Sequence, residues 1–278
     1  MNKVYITDLD HTFLRTNLSL SDFTKKVWNE MSQCAYVSIA TARSFYSATH
    51  LLQGFTINAP MILLDGSFIV SPEKKIIDAK FINEDVANAL IKEAISFSNL
   101  YPFSIGLKDE YLNESFDFPL HTTKVQEHLL ENFKKDPRLK QCKEIHATEK
   151  TFKLVYMGSF EEMNPLTQHL KNLYSKYFEF KLSPENYSGG YFLTILHTLG
   201  DKAHGLSKLS EYLERDLSEM TVFGDSINDI GMFKLAGVSV AVNNALDEAK
   251  EHAKIVSEYN NDEDAVAMYL NDLKKIKT

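Results

Sequence analysis

The sequence predicts an α/β protein with a doubly wound, Rossmann-like parallel-sheet core that is split by an inserted α/β domain. Three observations support this fold class. Short β-rich runs alternate with helical patterns in the first 80 residues, a block of helices and alternating strands follows, and the first rhythm then returns. Strands that alternate with helices pair in parallel, and a block of different rhythm between them indicates a separate domain.

The elements of the core follow in order. Helical spacing predicts a helix at residues 21–31, and the segments 202–213 and 227–235, which lie between predicted strands, are expected to be helices too. Apolar, β-rich runs predict strands at residues 4–7, 36–40, 59–64, 192–196, 221–223 and 238–242. Together they form the expected core of residues 1–81 and 189–278.

The inserted domain is expected to span residues 82–188. Helical spacing covers residues 83–97 and 123–133, and strands are predicted at 103–107, at 151–157 with one wet face, and at 178–182. Ser159 and Glu162 form a candidate capping box for a helix whose apolar stripe is Met163, Leu166, Leu170, Leu173 and Tyr177. Ser188-Gly189-Gly190 indicates a flexible break at the end of this block. We expect such an insertion to move as a lid.

Composition narrows the class of partner. The chain of 278 residues is 44% hydrophobic and 24% charged, with a net charge of -8. An acidic surface argues against nucleic acid and against an anionic membrane as partners. Cys34 and Cys142 fit neither a disulfide framework nor a metal site, and no leader or long apolar run is visible. We therefore expect a cytoplasmic protein with reduced thiols.

Polar clusters follow the predicted core strands or begin a helix beside them. They are Asp8-Leu9-Asp10-His11-Thr12, Thr41-Ala42-Arg43, Lys202, and Gly224-Asp225-Ser226-Ile227-Asn228-Asp229. In doubly wound folds the ligand binds at the carboxyl ends of the strands, so these clusters are expected to meet. The combined pattern is more specific than any one cluster.

The residue types fit a cation and a phosphate. Asp8, Asp10, Asp225 and Asp229 would repel one another unless a cation such as Mg²⁺, which prefers carboxylate oxygens, neutralised them. Lys202 begins a helix, so its ammonium and the helix dipole would both attract an anion. As an alternative, the first two acids could be ordinary turn or N-cap residues, but this leaves the second acidic cluster unexplained.

Two further groups of donors complete the expected site. Thr41 offers a hydroxyl and Asn228 an amide to a phosphate or to the substrate. Backbone N–H groups could supplement them, with Leu9 and Ala42 as the candidates. For Arg43, an ion pair or a surface role is as consistent with the sequence as a phosphate contact.

These motifs resemble the haloacid dehalogenase superfamily, and within it the Cof-type phosphatases with an inserted α/β cap. Residues 8–12 resemble the first motif of the family, Thr41 the second, Lys202 the third and residues 225–229 the fourth. The resemblance extends to residues 231–237, 240–245 and 263–267, and so covers nearly the whole chain.

The resemblance implies Mg²⁺-dependent hydrolysis of a small phosphate monoester through an aspartyl-phosphate. Asp8 would be the nucleophile and Asp10 the general acid/base. Mg²⁺ would be held by Asp8, the backbone carbonyl of Asp10 and Asp225, with Asp229 as a further or more distant ligand.

Alternatives remain open at this point. A phosphotransferase or phosphomutase would use the same residues, and a non-catalytic sensor of phosphorylated metabolites would keep the fold. A sugar phosphate, a phosphosugar acid and a phosphorylated cofactor are all compatible substrates. His11, Ala42, Asp65 and Ala265 depart from the usual family residues, so the resemblance does not fix the substrate. The predicted loop at residues 108–122 is a candidate specificity surface, or an ordinary loop.

Overall fold

The computed structural model describes residues 3–184 and 189–277. The chain divides into a core unit, Met1–Ala79 with Leu199–Thr278, and an inserted unit, Lys80–Thr198. The predicted insertion ended at residue 188, whereas the second change of unit comes after Thr198. Ser188, which was predicted as part of a flexible boundary, lies outside the described residues.

Most strands of the core unit alternate with helices, whereas in the inserted unit each helix is followed by two strands. The strands are β1 (Val4–Thr7), β2 (Tyr36–Ile39), β3 (Met61–Leu63), β4 (Phe68–Val70), β5 (Ile76–Ala79), β6 (Phe103–Leu107), β7 (Glu114–Pro119), β8 (Leu139–Cys142), β9 (Thr151–Gly158), β10 (Phe178–Pro184), β11 (Tyr191–His197), β12 (Met220–Gly224), β13 (Val238–Ala241) and β14 (Ile255–Val256). The helices are α1 (Asp22–Met31), α2 (Phe45–Leu51), α3 (Glu84–Ser98), α4 (Lys124–Phe133), α5 (Phe160–Tyr174), α6 (Lys202–Leu213), α7 (Ile230–Leu235), α8 (Asp247–His252) and α9 (Ala265–Lys277).

The core unit is built on a parallel sheet in the order β14-β13-β12-β1-β2. β1 and β12 are buried along their whole length, as expected for central parallel strands that are covered on both faces. Helices α6 and α7 pack against each other, and α1 packs against α9 and β2. This arrangement confirms the predicted doubly wound α/β core.

The third apolar run of the core does not join the parallel sheet as a full strand. β3 pairs antiparallel with β4, which pairs antiparallel with β5. Its link to the main sheet is an isolated parallel bridge between Ala40 and Ile62. The predicted strand at residues 59–64 therefore pairs in parallel with the core sheet at one bridge only. The chain turns back at residues 64–66, and β3 pairs with β4 instead.

The inserted unit contains a sheet in the order β10-β11-β9-β6-β7-β8. All its neighbouring pairs are antiparallel except β7 with β8. Helices α3 and α5 pack together, and their apolar side chains share a core with β9 and β11. The antiparallel sheet with helices fits the α/β cap that the resemblance implied.

Four details of the inserted unit differ from the sequence predictions. Residues 192–196 do form a strand, β11, but it pairs with β9 and β10 and not with the core strands. β9 is buried along its whole length, so its predicted wet face is wrong. Residues 114–119 of the predicted loop form β7. The predicted α5 stripe is buried only as far as Leu170, because Leu173 is about half exposed and Tyr177 lies beyond the end of the helix.

Local signals set where these helices begin. The predicted capping box is present, since the Ser159 hydroxyl accepts from the Glu162 N–H while the Glu162 carboxylate accepts from the Ser159 N–H. Ser21 caps α1 through the Thr24 N–H in the same way. No helix within residues 3–184 and 189–277 is long and apolar enough to cross a membrane.

The Tyr156 hydroxyl in the inserted unit gives a stability prediction. Tyr156 is fully buried, its hydroxyl has no hydrogen-bond partner among the described residues, and burial raises its pKa. We expect Tyr156→Phe to raise the free energy of unfolding by about 1 kcal/mol, because a desolvated, unpaired hydroxyl is removed. Chemical denaturation followed by circular dichroism measures this change.

Tyr156→Leu is the packing control for this substitution. It removes the same hydroxyl but leaves a cavity, so the free energy of unfolding should fall by roughly 2–4 kcal/mol. A clear loss of stability in Tyr156→Phe itself would contradict the prediction, since it would mean that the hydroxyl makes a favourable bond.

Candidate active site

The first site loop leaves the carboxyl end of β1 at Asp8. The Asp8 N–H donates to the Phe223 carbonyl at 3.0 Å, which ties the loop to the neighbouring strand β12. The chain then turns tightly, with His11 at φ 57° and ψ 9° and the Leu14 N–H donating to the Leu9 carbonyl at 2.8 Å. Asp8 is buried, with 6% of its surface exposed. Parallel pairing of β1 and β12 therefore brings the first and fourth predicted clusters side by side.

Lys202 is the first residue of α6, as predicted. Its side chain is fully buried, and its Nζ donates to Asp8 Oδ1 at 2.6 Å and to Asp229 Oδ1 at 2.7 Å. Burial disfavours the ammonium, but Asp229 and Asp8 outweigh it and raise the pKa of Lys202. An ammonium has three N–H donors, and within the described residues two of those of Lys202 are used in these bonds.

Asp229 organises the loop after β12. Its Oδ2 accepts from the N–H groups of Asp225 and Ser226, each at 3.0 Å, and its Oδ1 accepts from Lys202. Gly224 is required here, because a Cβ at this position would lie 2.4 Å from the Asp229 side chain. Asp229 is thus fully buried with both oxygens engaged.

Asp225 is held by the first loop. The buried Thr12 hydroxyl donates to Asp225 Oδ1 at 2.7 Å. Thr12 belongs to the first cluster, but its residue type and position alone do not assign it a function. Two polar residues that follow neighbouring parallel strands are the signal that could have paired them.

Asp8, Asp225 and Asp229 form an acidic cluster, with one oxygen of each lying within 4.8 Å of the others. Burial, reinforced by Asp229 and Asp225, raises the pKa of Asp8 well above its usual value, although Lys202 lowers it. Burial and then Asp229 raise the pKa of Asp225 to about 6.

The donor set fits a small divalent cation. Hard carboxylate oxygens are the ligands that Mg²⁺ prefers, and the crowding of Asp8 and Asp225 is what a cation would relieve. Asp229 fits a direct ligand role less well, since its oxygens already accept three N–H bonds. Asp8 and Asp225 are therefore the side chains best placed to hold the ion.

The close approach of Asp225 to the other acids predicts how the free energy of unfolding depends on pH when divalent cations are chelated. A carboxyl whose pKa is raised on folding binds its proton more tightly in the folded state, so its contribution to stability is present at acidic pH and is lost as pH rises. For Asp225 the window runs from its ordinary value of 3.8 to about 6, a change worth at most about 3 kcal/mol.

Asp225→Asn isolates this contribution, because the amide oxygen can still accept from Thr12. In EDTA, the free energy of unfolding of the wild type relative to Asp225→Asn should fall as pH rises through this window. Urea denaturation of both proteins at several pH values measures the difference. If the difference in free energy of unfolding between the two proteins stayed constant or rose with pH, the pKa of Asp225 would not be raised by its neighbours in the folded protein.

Asp10 lies apart from the acidic cluster. Its carboxylate accepts from Arg43 Nε at 2.7 Å and from Nη2 at 2.6 Å, and a third of its side chain is exposed. The Asp10 side chain therefore pairs with Arg43 and is not one of the three clustered acids, although its charge still contributes to the raised pKa of Asp8. Of the two alternatives for Arg43, the structure shows the ion pair. The predicted metal contact of the Asp10 backbone carbonyl stays a prediction.

Thr41 and Asn228 lie close to a residue that the sequence did not assign to the site. Asp65 donates its N–H to the Thr41 carbonyl at 3.0 Å, and its Oδ1 accepts from Asn228 Nδ2 at 3.3 Å. It has left-handed backbone geometry, with φ 61°. The rule that polar residues after strands mark the site could have found Asp65, since it follows β3.

The two backbone candidates for phosphate binding lie in the same two loops. Leu9 has a fully buried side chain, so only its backbone could contact a ligand. Ala42 lies between the buried Thr41 and the ion-paired Arg43. Contacts of phosphate with Leu9, Thr41, Ala42, Lys202 and Asn228 stay predictions.

Comparison with known proteins shows the family of the chain. The family model described as haloacid dehalogenase-like hydrolase matches residues 5–270. The chain is 24% identical to the 5-amino-6-(5-phospho-D-ribitylamino)uracil phosphatase YitU of Bacillus subtilis (strain 168), covering 95% of each chain. It is 25% identical to YwtE, a phosphatase of the same name from that strain, covering 98% of each.

A solved structure shows the same fold. A protein from Thermotoga maritima aligns with a TM-score of 0.80 at 24% identity, covering 98% of this chain and 97% of that one. The family match spans both arms of the core unit and the inserted unit. The chain therefore belongs to the haloacid dehalogenase-like hydrolases, in the Cof-type phosphatase branch that carries an inserted α/β cap.

Proposed function

We propose that this protein is a Mg²⁺-dependent phosphatase that hydrolyses a small phosphate monoester through an aspartyl-phosphate on Asp8. One observation carries the proposal. A buried ammonium, Lys202, lies between Asp8 and Asp229, and Asp225 lies beside them at the carboxyl end of the sheet. Carboxylates serve as nucleophiles in other phosphoryl-transfer enzymes.

In the first step, an oxygen of Asp8 attacks phosphorus and the bond from phosphorus to the ester oxygen breaks. Asp10 protonates the departing alkoxide, which leaves as an alcohol. In the second step, Asp10 takes a proton from water, the water oxygen attacks phosphorus, and the bond to Asp8 breaks. Inorganic phosphate and the free carboxylate of Asp8 result.

The negative charge on the phosphate would be stabilised by the groups around it. Lys202, Thr41 and Asn228, with the N–H groups of Leu9 and Ala42, would bind the phosphate oxygens. Mg²⁺, held by Asp8, Asp225 and the Asp10 carbonyl, would supply positive charge to the crowded acids and the phosphate. Asp229 is proposed to act by holding Lys202 and the Asp225 loop in position, which its bonds support.

Arg43 is proposed to keep Asp10 ordered before the substrate binds. Its two N–H bonds hold the carboxylate in one orientation. For Asp10 to protonate the leaving group, this pair must loosen as the substrate arrives. The acid/base role is supported by position: Asp10 is in the same loop as Asp8, but its carboxylate is not one of the three acids that cluster for a cation.

The substrate class is proposed to be a sugar phosphate, or a phosphorylated cofactor or cofactor precursor. The names of the two Bacillus subtilis relatives describe phosphatases of a phosphorylated ribityl compound. That compound and simple pentose and hexose phosphates are therefore the first esters to test.

The test is phosphate release from such a panel, with Mg²⁺ and with EDTA. We expect release from at least one ester that depends on Mg²⁺. Release without a divalent cation would overturn the metal role. No release from any ester, with tight binding of one of them, would favour a sensor of phosphorylated metabolites instead.

A further inference from the structure

Two asparagines connect the end of the chain to the turn that follows Asp8. Asn244 Nδ2 donates to the His11 carbonyl at 2.8 Å, and Asn244 Oδ1 accepts from the Asn261 N–H at 2.9 Å. Asn261 Nδ2 in turn donates to the Leu14 carbonyl at 3.1 Å. We call Asn244 and Asn261 the asparagine bridge.

The orientation of the Asn244 amide follows from its neighbours. A backbone N–H must face its oxygen, and the His11 carbonyl must face its NH₂ group. An aspartate at this position could accept from Asn261 but could not donate to His11. Asn244 is therefore suited to join a donor on one side to an acceptor on the other.

The turn requires such support because of His11. With φ 57° this residue lies in the left-handed region, where side chains other than glycine are disfavoured. The bond to its carbonyl holds the His11–Thr12 peptide in the orientation that this conformation needs. The second bond, to Leu14, fixes the far end of the same turn, and Asn261 is buried.

Further contacts anchor the C-terminal end of the bridge. Asp264 accepts from Arg15 Nε at 3.2 Å and Nη2 at 2.9 Å, and Asp262 accepts from the N–H and the hydroxyl of Thr16, each at 2.8 Å. These bonds hold the segment of Asn261 beside residues 14–16. The asparagine bridge is therefore one part of a larger set of hydrogen bonds that joins residues 261–264 to residues 14–16.

His11 stands between two residues of the site. Asp10 precedes it and pairs with Arg43, while Thr12 follows it and donates to Asp225. A change in the His11 backbone would redirect both neighbours. The orientation of Asp225 beside Asp8 therefore depends on the left-handed turn.

We propose that Asn244 and Asn261 are positioning residues, which hold the left-handed turn at His11 and thereby orient Thr12 and Asp225 for cation binding. The link to Mg²⁺ rests on the proposed function. The link to the turn does not, because it follows from the hydrogen bonds alone.

The first readout is hydrogen exchange of the Leu14 amide, which closes the turn on the Leu9 carbonyl. The full-length protein is compared with Asn244→Asp, and Asn243→Asp is the matched control. Asn243 is the neighbouring residue and is exposed like Asn244, but no side-chain hydrogen bond of it is seen within the described residues. We expect faster exchange in Asn244→Asp only. Equal exchange in all three proteins would overturn the proposal.

The second readout is Mg²⁺ binding by calorimetry, without substrate. We expect Asn244→Asp to raise the Kd by roughly 5–30-fold, the ratio that corresponds to the left-handed penalty of a residue other than glycine. The same substitution in a His11→Gly background should raise it much less, because glycine adopts this conformation without that penalty. An equal effect in both backgrounds would overturn the proposed route through His11.

These outcomes separate the bridge from the proposed function. If Asn244→Asp speeds exchange and weakens Mg²⁺ binding while no ester is hydrolysed by the wild type, the phosphatase proposal fails and the bridge stands. If esters are hydrolysed but Asn244→Asp matches Asn243→Asp in exchange and in Kd, the bridge fails and the phosphatase stands.

Discussion

Asp8→Asn is expected to lower phosphate release by at least roughly 10⁴-fold, because an amide cannot serve as the nucleophile that forms the covalent intermediate. The loss should not come from unfolding. Burial and neighbouring acids raise the pKa of Asp8, so its charge is disfavoured in the folded protein without a cation. The free energy of unfolding in EDTA should therefore stay the same or rise.

Asp10→Asn is the matched control, because it makes the same chemical change in the other acid of the loop. An aryl phosphate has a good leaving group that needs no proton, so Asp10→Asn should still transfer phosphate to Asp8 from this ester. Rapid-quench measurement should then detect a phosphorylated protein that hydrolyses slowly. Asp8→Asn should show none.

Two results for Asp8→Asn and Asp10→Asn would contradict the role of Asp8 as nucleophile. If Asp8→Asn kept phosphate release within about tenfold of the wild type, water and not Asp8 would be the attacking group. If both variants formed the phosphorylated protein, the phosphate would be attached elsewhere.

Much of the site could be predicted because its residues share one topological position. The clusters that begin at Asp8, Thr41 and Asp225 each follow a strand of one parallel region, and a parallel sheet places such ends along one edge. The helix that begins at Lys202 is predicted from its place between two strands, and its position brings the ammonium between Asp8 and Asp229.

The partners of individual side chains could not be predicted in the same way. Asp10 and Asp8 are two residues apart, but the turn between them directs one carboxylate to Arg43 and the other to Lys202. The sequence does not reveal that His11 is left-handed, because most residues in this conformation are glycine. The left-handed conformation of Asp65 is hidden from the sequence in the same way.

The strand β11 shows a limit of periodicity. A short apolar run of this length fits a core strand or a strand of the inserted sheet equally well, and only its pairing decides. The hydrophobic pattern predicts that a strand exists but not which neighbour it joins. Because β11 belongs to the inserted sheet, the inserted unit ends at Thr198 and not at residue 188 as predicted.

Lys202→Met is expected to lower the free energy of unfolding by about 3–5 kcal/mol at neutral pH, because it leaves buried carboxylates without their cation. The Lys202 side chain is fully buried between Asp8 and Asp229, so water cannot replace it. Phosphate release should also be lost, since the same ammonium is proposed to bind the phosphate. Lys202→Arg, which keeps the charge but is larger, is the control for charge against shape.

The pH dependence distinguishes this cause from a packing defect. Without Lys202 the pKa of Asp8, already raised by burial, rises further, and an acid with a raised pKa adds stability only while it is protonated. The deficit of Lys202→Met should therefore be small at acidic pH and grow as pH increases. Denaturation at several pH values, in EDTA, measures it. A deficit that was the same at every pH would show that Lys202 stabilises the fold by its shape and not by its charge.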